Sequence, residues 1–357
     1  MYGAQSREPA MEQKTGIFLV TSGEHPTLPL SEAKAILDAY KVQYRVGDTH
    51  YKLVELDAPA SAADLVAKRA GYVEEAGIEI FHSLPEPAEI RKTMRSLDLT
   101  RYISPQESFS IRVARYGGIS KEVSRVKLEA ELGGVMLSQI AARVDLENPI
   151  RRFRGMLAGP YFHFGLQTFK RPRGSVARRR PRKRPAFHPS TMVPKLARCL
   201  VNLACATEET VFLDPFCGVG GILLEASLLG CPVLGVDALR RMVRGARRNL
   251  VHFGTLPFGM ILADARRIPI TKVGAIATDP PYGTGASTLK ATTKEILRDF
   301  LPEAREILET NARAVVVSPL GTGASALAED SGFKVLEDHR VYVHRSLTRE
   351  ILVLAKR

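Results

Sequence analysis

The sequence contains no tryptophan and only four cysteines among its 357 residues. None of Cys199, Cys205, Cys217 and Cys231 forms a CxxC pair or has a histidine at metal-ligand spacing. A disulfide framework and a cysteine-based zinc site are therefore not expected, and no metal ligands are predicted. The four side chains are instead predicted to be small apolar residues of the core.

Long apolar runs are also missing. No run approaches the roughly 18 residues of a membrane helix, and Met1–Gly16 lacks the apolar centre of a signal peptide. We therefore expect a cytoplasmic protein without a membrane partner, and we expect a monomer. Residues 1–16 are predicted to be a loose leader, in which Met11 is a candidate natural start. The hydrophobic content of 45% is enough for a sizeable core.

Acidic residues are absent from a long central segment. Between Asn148 and Thr207 there is no Asp or Glu, whereas fourteen Lys or Arg occur there, more than the net charge of +13 of the whole chain. Its densest part, Arg178–Arg184, has no apolar periodicity and is predicted to be a loop. Like charges at this density repel one another unless an anion neutralises them, so the segment indicates a polyanionic partner.

The acid-free segment separates two patterns. Residues 17–145 mix short strands and helices, as in α+β units, with a helix capped by Ser31 and a later helix, 123–141, interrupted at Gly133-Gly134. From residue 191 onward, helices alternate with seven strands, which predicts a doubly wound sheet. The last two strands are expected to be an antiparallel pair at one edge.

A glycine-rich turn follows the first strand of this second pattern, in the run DPFCGVGG that starts at Asp214. A carboxylate before the glycines would repel a phosphate but suits an ammonium group. Asp237 and Asp264 end the next two strands, where carboxylates can accept from a ribose diol and an adenine amine. We therefore predict S-adenosylmethionine as cofactor, bound by Asp214, Pro215, Phe216, Cys217, Gly218, Gly220, Asp237, Ala238, Asp264, Ala265 and Asp279.

The fourth strand of that pattern is followed by Asp279-Pro280-Pro281-Tyr282, which we predict to be the catalytic residues. The prolines remove two backbone donors, so carbonyls and the carboxylate dominate the turn. Hydrogen bonds from an exocyclic amine to Asp279 and to the Pro280 carbonyl would free the nitrogen lone pair for methyl transfer. The ring of Tyr282 is predicted to stack on a flipped base.

These residues carry a family resemblance. DPFCGxGG followed by TDPPYG resembles the amino-methyltransferases of nucleic acids, and Arg184–Ala204 resembles the entry to the catalytic domain of the archaeal tRNA guanine-10 N2-methyltransferases. Segments around Phe109–Val123, Glu131–Gly134 and Val144–Pro149 are similar to the THUMP RNA-binding domain.

The resemblance implies an α/β fold with a Rossmann-like, seven-stranded methyltransferase domain preceded by an α+β, ferredoxin-like/THUMP RNA-binding region. The predicted divisions are a leader (1–16), a ferredoxin-like unit (17–60), a THUMP-like domain (61–165), a basic linker (166–190) and the methyltransferase domain (191–357). The implied product is N2-methylguanosine or N2,N2-dimethylguanosine at position 10 of tRNA. Some family members work with a small zinc-containing activator protein, which is a further candidate partner.

The acceptor pocket alone also permits methylation of adenine N6 in DNA, or of guanine N2 elsewhere in tRNA or rRNA. The THUMP-like region favours tRNA over DNA. Asp279 favours position 10 over position 6, because related enzymes for position 6 more often have Asn there. The predicted RNA-binding residues are basic: Arg112, Lys121, Arg151, Arg152, Arg154, Arg178, Arg179, Arg180, Arg182, Lys183 and Arg184.

Overall fold

The computed structural model describes residues 14–282 and 291–357. The predicted leader and Gly283 of the acceptor motif lie outside these residues, except for residues 14–16, which belong to the first strand. The chain divides into two compact units. The N-terminal unit consists of the chain up to Thr21, Val42–Lys68 and Glu74–Lys170, and the C-terminal unit consists of Ser22–Lys41, Arg69–Val73 and Arg171–Arg357.

The N-terminal unit is built on an eight-stranded sheet. Its strands are β1 (Lys14–Thr21), β2 (Arg45–His50), β3 (Leu53–Pro59), β4 (Val73–Ser83), β5 (Ser108–Arg115), β6 (Arg143–Val144), β7 (Arg151–Ala158) and β8 (Tyr161–Lys170). They lie in the order β2-β3-β1-β4-β8-β7-β5-β6. Strands of the predicted ferredoxin-like unit and of the predicted THUMP-like domain thus share one sheet, and the division between the two stays a prediction.

Three helices belong to this unit: α2 (Ser61–Arg69), α3 (Pro87–Arg95) and α4 (Arg125–Gln139). The predicted break at Gly133-Gly134 is wrong, because α4 runs through both glycines. Its buried residues Leu128, Leu132, Val135 and Met136 recur at helical spacing on either side of them, so packing of one face holds the helix together. These four residues pack in a core with Phe109, Phe153 and Phe164.

The C-terminal unit contains the seven-stranded sheet. Its strands are β9 (Phe212–Asp214), β10 (Val233–Asp237), β11 (Gly259–Leu262), β12 (Val273–Thr278), β13 (Leu308–Pro319), β14 (Phe333–His344) and β15 (Leu347–Lys356), in the order β11-β10-β9-β12-β13-β15-β14. The first five run parallel in their pairings, and β15 is antiparallel to both β13 and β14. The predicted doubly wound sheet and its antiparallel edge are confirmed.

The helices of this unit are α1 (Leu28–Ala39), α5 (Pro194–Leu203), α6 (Gly221–Leu228), α7 (Arg240–His252), α8 (Thr293–Ile307) and α9 (Ala324–Asp330). The prediction that Ser31 caps α1 is wrong. The helix begins at Leu28, because Pro29 suits its first turn, and Ser31 is buried inside it. Within the described residues, no helix is both long and apolar enough to span a membrane.

Candidate active site

Three aspartates meet at one edge of the seven-stranded sheet. Asp214 and Asp237 are the last residues of β9 and β10, and Asp279 directly follows β12. These strands are parallel neighbours, so their carboxyl ends lie at the same edge, where ligands bind in open α/β sheets. Asp264 lies two residues beyond the end of β11. The structure thus brings the strand-end aspartates to one edge, and their role in cofactor binding stays a prediction.

A cavity of about 640 Å³ opens at this edge. Its walls include eight of the predicted cofactor and catalytic positions outside the aspartates: Pro215, Phe216, Gly218, Ala238, Ala265, Pro280, Pro281 and Tyr282. Asp237, Asp264 and Asp279 line the same cavity, and Asp214 and Cys217 line a smaller space of about 70 Å³ that shares Phe216, Gly218 and Asp279 with it.

Gly220 lies outside both spaces. It precedes α6 with a φ of 80°, a conformation that glycine adopts without strain. A Cβ at this position would lie 3.0 Å from the Cβ of Ala246 on α7. The glycine thus permits close packing of two helices beside the site.

Asp214 is buried to 1% exposure beneath the cavity floor. Its Oδ1 atom accepts hydrogen bonds from the Thr278 hydroxyl at 2.8 Å and from the Phe216 amide at 3.2 Å. Burial raises the pKa of Asp214 to about 7, although both hydrogen bonds act in the opposite direction. Such a carboxylate gains most from a cationic ligand, because a cation offsets the cost of its desolvation.

Asp237 and Asp264 differ in how they are held. Asp237 accepts from the backbone amides of Gly218 at 2.9 Å and Leu239 at 2.8 Å, and burial raises its pKa. Asp264 forms an ion pair with Arg266, whose Nη2 lies 2.5 Å from Oδ2, and the hydrogen bonds from Arg266 lower the pKa of Asp264. A ligand amine would therefore share Asp264 with a guanidinium group.

Within the described residues 14–282 and 291–357, two side chains contact the Asp279 carboxylate. The Tyr282 hydroxyl donates a hydrogen bond to Oδ1, and Arg349 Nη2 lies 3.1 Å from Oδ2. Arg349 Nε also approaches the Tyr282 hydroxyl at 3.3 Å. Burial raises the pKa of Asp279, while the charge of Arg349 opposes that rise. A carboxylate has about four acceptor positions, so these two contacts do not use up the acceptor capacity of either oxygen.

Arg349 and the segment before α5 were not predicted as site residues. Arg349 comes from β15, far along the chain from the motifs, and its only signal is a charged residue inside an apolar strand. His188, Ser190, Thr191 and Met192 line both spaces. Part of that segment carries the family resemblance, but no role in the site was predicted for it.

The arginine-rich segment contradicts part of the RNA-binding prediction. Arg178–Arg184 forms parts of two short 3₁₀ turns, and Arg184 is buried to 5% exposure with its Nε donating to the Arg179 carbonyl at 2.8 Å. Arg179 Nε lies 2.7 Å from Oε1 of Glu225, and Arg198 Nε lies 2.8 Å from Oε2 of the same carboxylate.

Glu225 is fully buried on α6, and a buried carboxylate needs cationic partners. That need draws Arg179 and Arg198 inward. Arg184 is buried, so the prediction that it contacts RNA is wrong. Arg179 forms its ion pair with Glu225, which leaves it less able to bind a phosphate. Arg178, Arg180, Arg182 and Lys183 are exposed, so for these four the prediction stays open.

The other predicted RNA-binding residues belong to the N-terminal unit. Arg112, Arg152 and Arg154 lie on β5 and β7 and line a cavity of about 280 Å³ together with Lys170. Arg154 forms an ion pair with Glu75 at 2.8 Å, and Arg112 lies 3.4 Å from Glu129. Outside the cavity, Arg151 lies 2.8 Å from Glu107, and Lys121 is exposed. RNA binding by these residues stays a prediction.

Comparisons with known proteins agree with this geometry. A family model described as the RMKL-like methyltransferase domain matches residues 181–351. The chain is 34% identical to the tRNA (guanine(10)-N2)-dimethyltransferase of Methanothermobacter thermautotrophicus, over 95% of this chain and 99% of that protein. It is 31% identical to the enzyme of the same name from Methanocaldococcus jannaschii, again over 95% of this chain and 99% of the other.

The fold is also found among solved structures. TrmN from Thermus thermophilus superimposes with a TM-score of 0.55 at 23% identity, covering 96% of this chain and all of that one. At this identity the match supports the fold alone. The two curated relatives, by contrast, are similar along nearly their whole length, and on that basis the chain belongs to the tRNA (guanine(10)-N2)-dimethyltransferase family of methyltransferases.

Proposed function

We propose that this chain transfers a methyl group from S-adenosylmethionine to the exocyclic N2 of guanosine 10 in tRNA. The observation that carries the chemistry is the Asp279 carboxylate, placed between Tyr282 and Arg349 on the wall of a cavity rich in aspartates. The relatives support the nitrogen and the position, since both are named for guanine 10 of tRNA.

The residues present fit the proposed cofactor. Asp214 is a buried acceptor whose ionised form an ammonium group would stabilise. Asp237 and Asp264 line the cavity with acceptor oxygens for hydroxyl and amine groups. When bound, S-adenosylmethionine supplies a methyl group on a cationic sulfur. The protein's part is then to bind, to orient and to stabilise charge.

Asp279 has the central role in the proposed mechanism. Its free lone pairs and the Pro280 carbonyl would accept hydrogen bonds from the two N–H groups of the guanine amine, which orients the nitrogen lone pair for attack. The nitrogen gains positive charge as the methyl group is transferred, and the carboxylate stabilises that charge. Its raised pKa also suits it to take up the proton that the methylated amine must lose.

Arg349 is proposed as a positioning residue. Its guanidinium contacts both the Asp279 carboxylate and the Tyr282 hydroxyl, so it fixes the two side chains relative to each other. It also opposes the rise in the pKa of Asp279 that burial causes, which keeps more of the carboxylate ionised. The stacking of a flipped base on Tyr282 stays part of the proposal.

The partner follows from the substrate. We propose tRNA as the macromolecular partner and, because tRNA is the substrate, the cytoplasm as the place of action. The names of the relatives extend the proposal to a second methyl group on the same nitrogen. The predictions of a monomer and of a small zinc-containing activator remain open, and activity of the purified chain alone would argue against a required activator.

The test is to incubate the protein with unmodified tRNA transcripts and labelled cofactor, and then to map the modified nucleotide by mass spectrometry. We expect one or two methyl groups on guanosine 10. Label on a different guanosine would refute the position and keep the chemistry, whereas label on adenine N6 would refute the substrate base. No transfer to any nucleic acid would refute the function.

A further inference from the structure

Histidine and glutamate side chains converge on one face of the eight-stranded sheet, in the N-terminal unit and apart from the aspartate cavity. Glu55 comes from β3, Glu79 and His82 from β4, and His163 from β8. Nδ1 of His163 lies 2.6 Å from Oε1 of Glu55 and 3.0 Å from Oε1 of Glu79, and Nδ1 of His82 lies 3.6 Å from that same Glu79 oxygen.

The strand between β3 and β4 leaves room for this cluster. β1 lies there in the sheet and presents Gly16 beside Glu79. A Cβ at Gly16 would lie 3.0 Å from Oε2 of Glu79 and 3.3 Å from its Cβ, closer than ordinary contacts. Glycine at this position thus leaves the Glu79 side chain free of a contact that any other residue would make.

Several polar atoms of the cluster lack the partners that burial demands. His163 is exposed to only 1%, and its Nε2 has no hydrogen-bond partner among the described residues. The same holds for Nε2 of the neighbouring His50, whose ring centroid lies 6.1 Å from that of His163. Oε1 of Glu55 is close to His163 but poorly aligned to accept a hydrogen bond from it. The cluster therefore contains buried polar atoms that no described side chain satisfies.

The donor atoms match a transition-metal ion. One ligand atom each from Glu79, His82 and His163 lies within 4.8 Å of the other two. Zinc bonds of ~2.0–2.2 Å to imidazole nitrogen and carboxylate oxygen place tetrahedral ligands roughly 3.4 Å apart, so small rotations of these side chains would complete the geometry. Mixed imidazole and carboxylate donors favour zinc and its neighbours over calcium or magnesium.

We propose that Glu55, Glu79, His82 and His163 form a binding site for one Zn²⁺ ion or a similar divalent transition-metal ion. The His82 side chain is 59% exposed, which gives the ion a path from solvent. Bound there, the ion would join β3, β4 and β8, three strands that are far apart in the sequence. Its role would be structural, since it would hold the sheet together across the glycine of β1.

The experiment uses the full chain after removal of metal with a chelator. Titration with Co²⁺, followed by visible absorption, should show one saturable site with the intense bands of a four-coordinate ion, and Zn²⁺ should displace it at one equivalent. His82→Ala and Glu79→Gln should each weaken binding by at least ~10-fold. His252→Ala, at an exposed histidine of α7, should leave binding unchanged.

Each result decides the proposal. Saturable binding at one equivalent that His82→Ala weakens at least ~10-fold supports it. A higher melting temperature with Zn²⁺ in the wild type, with a smaller rise or none in His82→Ala, supports the structural role. Absence of saturable binding would overturn it and leave His163 as a buried imidazole packed between two glutamates. Binding that persists in the His82→Ala, Glu79→Gln double variant would also overturn it. Because His82 is largely exposed, its variant is expected to fold, which circular dichroism would verify.

Discussion

The two units place charge in opposite ways. The cavity at the edge of the seven-stranded sheet has four aspartates in or beneath its walls. Two arginines, Arg266 and Arg349, also line it. The cavity on the eight-stranded sheet is lined by Arg112, Arg152, Arg154 and Lys170, with Glu147 as its acidic residue. The first cavity is proposed to hold cationic groups and amines, and binding of a phosphate backbone at the second stays a prediction, since Arg154 and Lys170 both lie near Glu75.

The difference also shows that charge counted along the sequence is not charge available to a ligand. The acid-free segment contributes arginines to the basic cavity, but it also contributes Arg179, Arg184 and Arg198, which are turned toward buried Glu225. A guanidinium in that position stabilises the fold and is closed to RNA. Substitutions of paired, buried charges and of exposed charges should therefore differ in the size of their effects.

The largest effect is expected at Glu225, whose carboxylate is fully buried between Arg179 and Arg198. Glu225→Gln leaves these guanidinium groups buried without a countercharge, which should lower the free energy of unfolding by about 3–5 kcal/mol. Denaturant unfolding measures it. The matched change Glu306→Gln, at an exposed position of α8, should cost less than ~0.5 kcal/mol. Equal effects of the two changes would mean that the arginines do not depend on Glu225.

The next effect concerns the acidic cavity. Asp279→Asn should lower the rate of methyl transfer roughly 10²–10³-fold, because an amide cannot stabilise positive charge on the amine nitrogen. Cofactor affinity should change only a few-fold, since Asp214 and Asp237 remain. Single-turnover kinetics and calorimetry separate the two quantities. Asp299→Asn on α8, with a partly exposed side chain, is the control. A loss confined to cofactor binding would contradict the assigned role.

A smaller effect is expected from pH. The pKa of Asp214 is raised to about 7, so its carboxylate is ionised above that value and protonated below it. An ammonium ligand binds the ionised form, so affinity should fall as the pH falls, by roughly 25-fold between pH 7.5 and pH 5.5. Calorimetry with S-adenosylhomocysteine checks this. Asp214→Asn should bind weakly with little pH dependence in this range, and an unchanged pH profile in that variant would assign the titration to another group.

The smallest effect concerns the basic cavity. Arg152→Ala removes an exposed cation from its wall, which should weaken tRNA binding a few-fold and reduce the dependence of log Kd on log salt by about one ion. Arg45→Ala, on β2 outside that cavity, should change neither. Filter binding over a range of salt concentrations gives both quantities. Equal effects at the two arginines would mean that the cavity has no special part in RNA binding.

The same contrast explains what could be predicted from the sequence. In the C-terminal unit, the regular alternation of strands and helices predicted the sheet. The aspartates Asp214, Asp237 and Asp279 lie at or directly after the strands that position them. In the N-terminal unit, β2, β7, β8 and α3 were not predicted. Antiparallel strands such as β7 and β8 are stabilised by partners distant in the chain, and the end of β8 lies in the segment 166–190 that was predicted to be a linker.

The site residues also fall into those that local motifs predicted and those that only tertiary contacts bring to the site. The motifs predicted Asp214, Asp237 and Asp279, but nothing near Arg349 indicates that β15 brings it to the acceptor turn. Spacing likewise did not reveal the cluster of His82 and His163, because its ligands come from separate strands. The pairing of Arg179 likewise depends on a distant carboxylate, Glu225. Contacts made by tertiary packing, rather than by neighbours in the chain, account for each of these omissions.

The most direct test of the central claim compares two tRNA transcripts that differ in one amine. One carries guanosine at position 10, and the other carries inosine, which lacks the exocyclic N2. We predict methyl transfer to the guanosine transcript and none to the inosine transcript, with tRNA affinities within about twofold because phosphate contacts are unchanged. Equal methyl transfer to both transcripts would contradict the account, since the accepting nitrogen would then lie elsewhere.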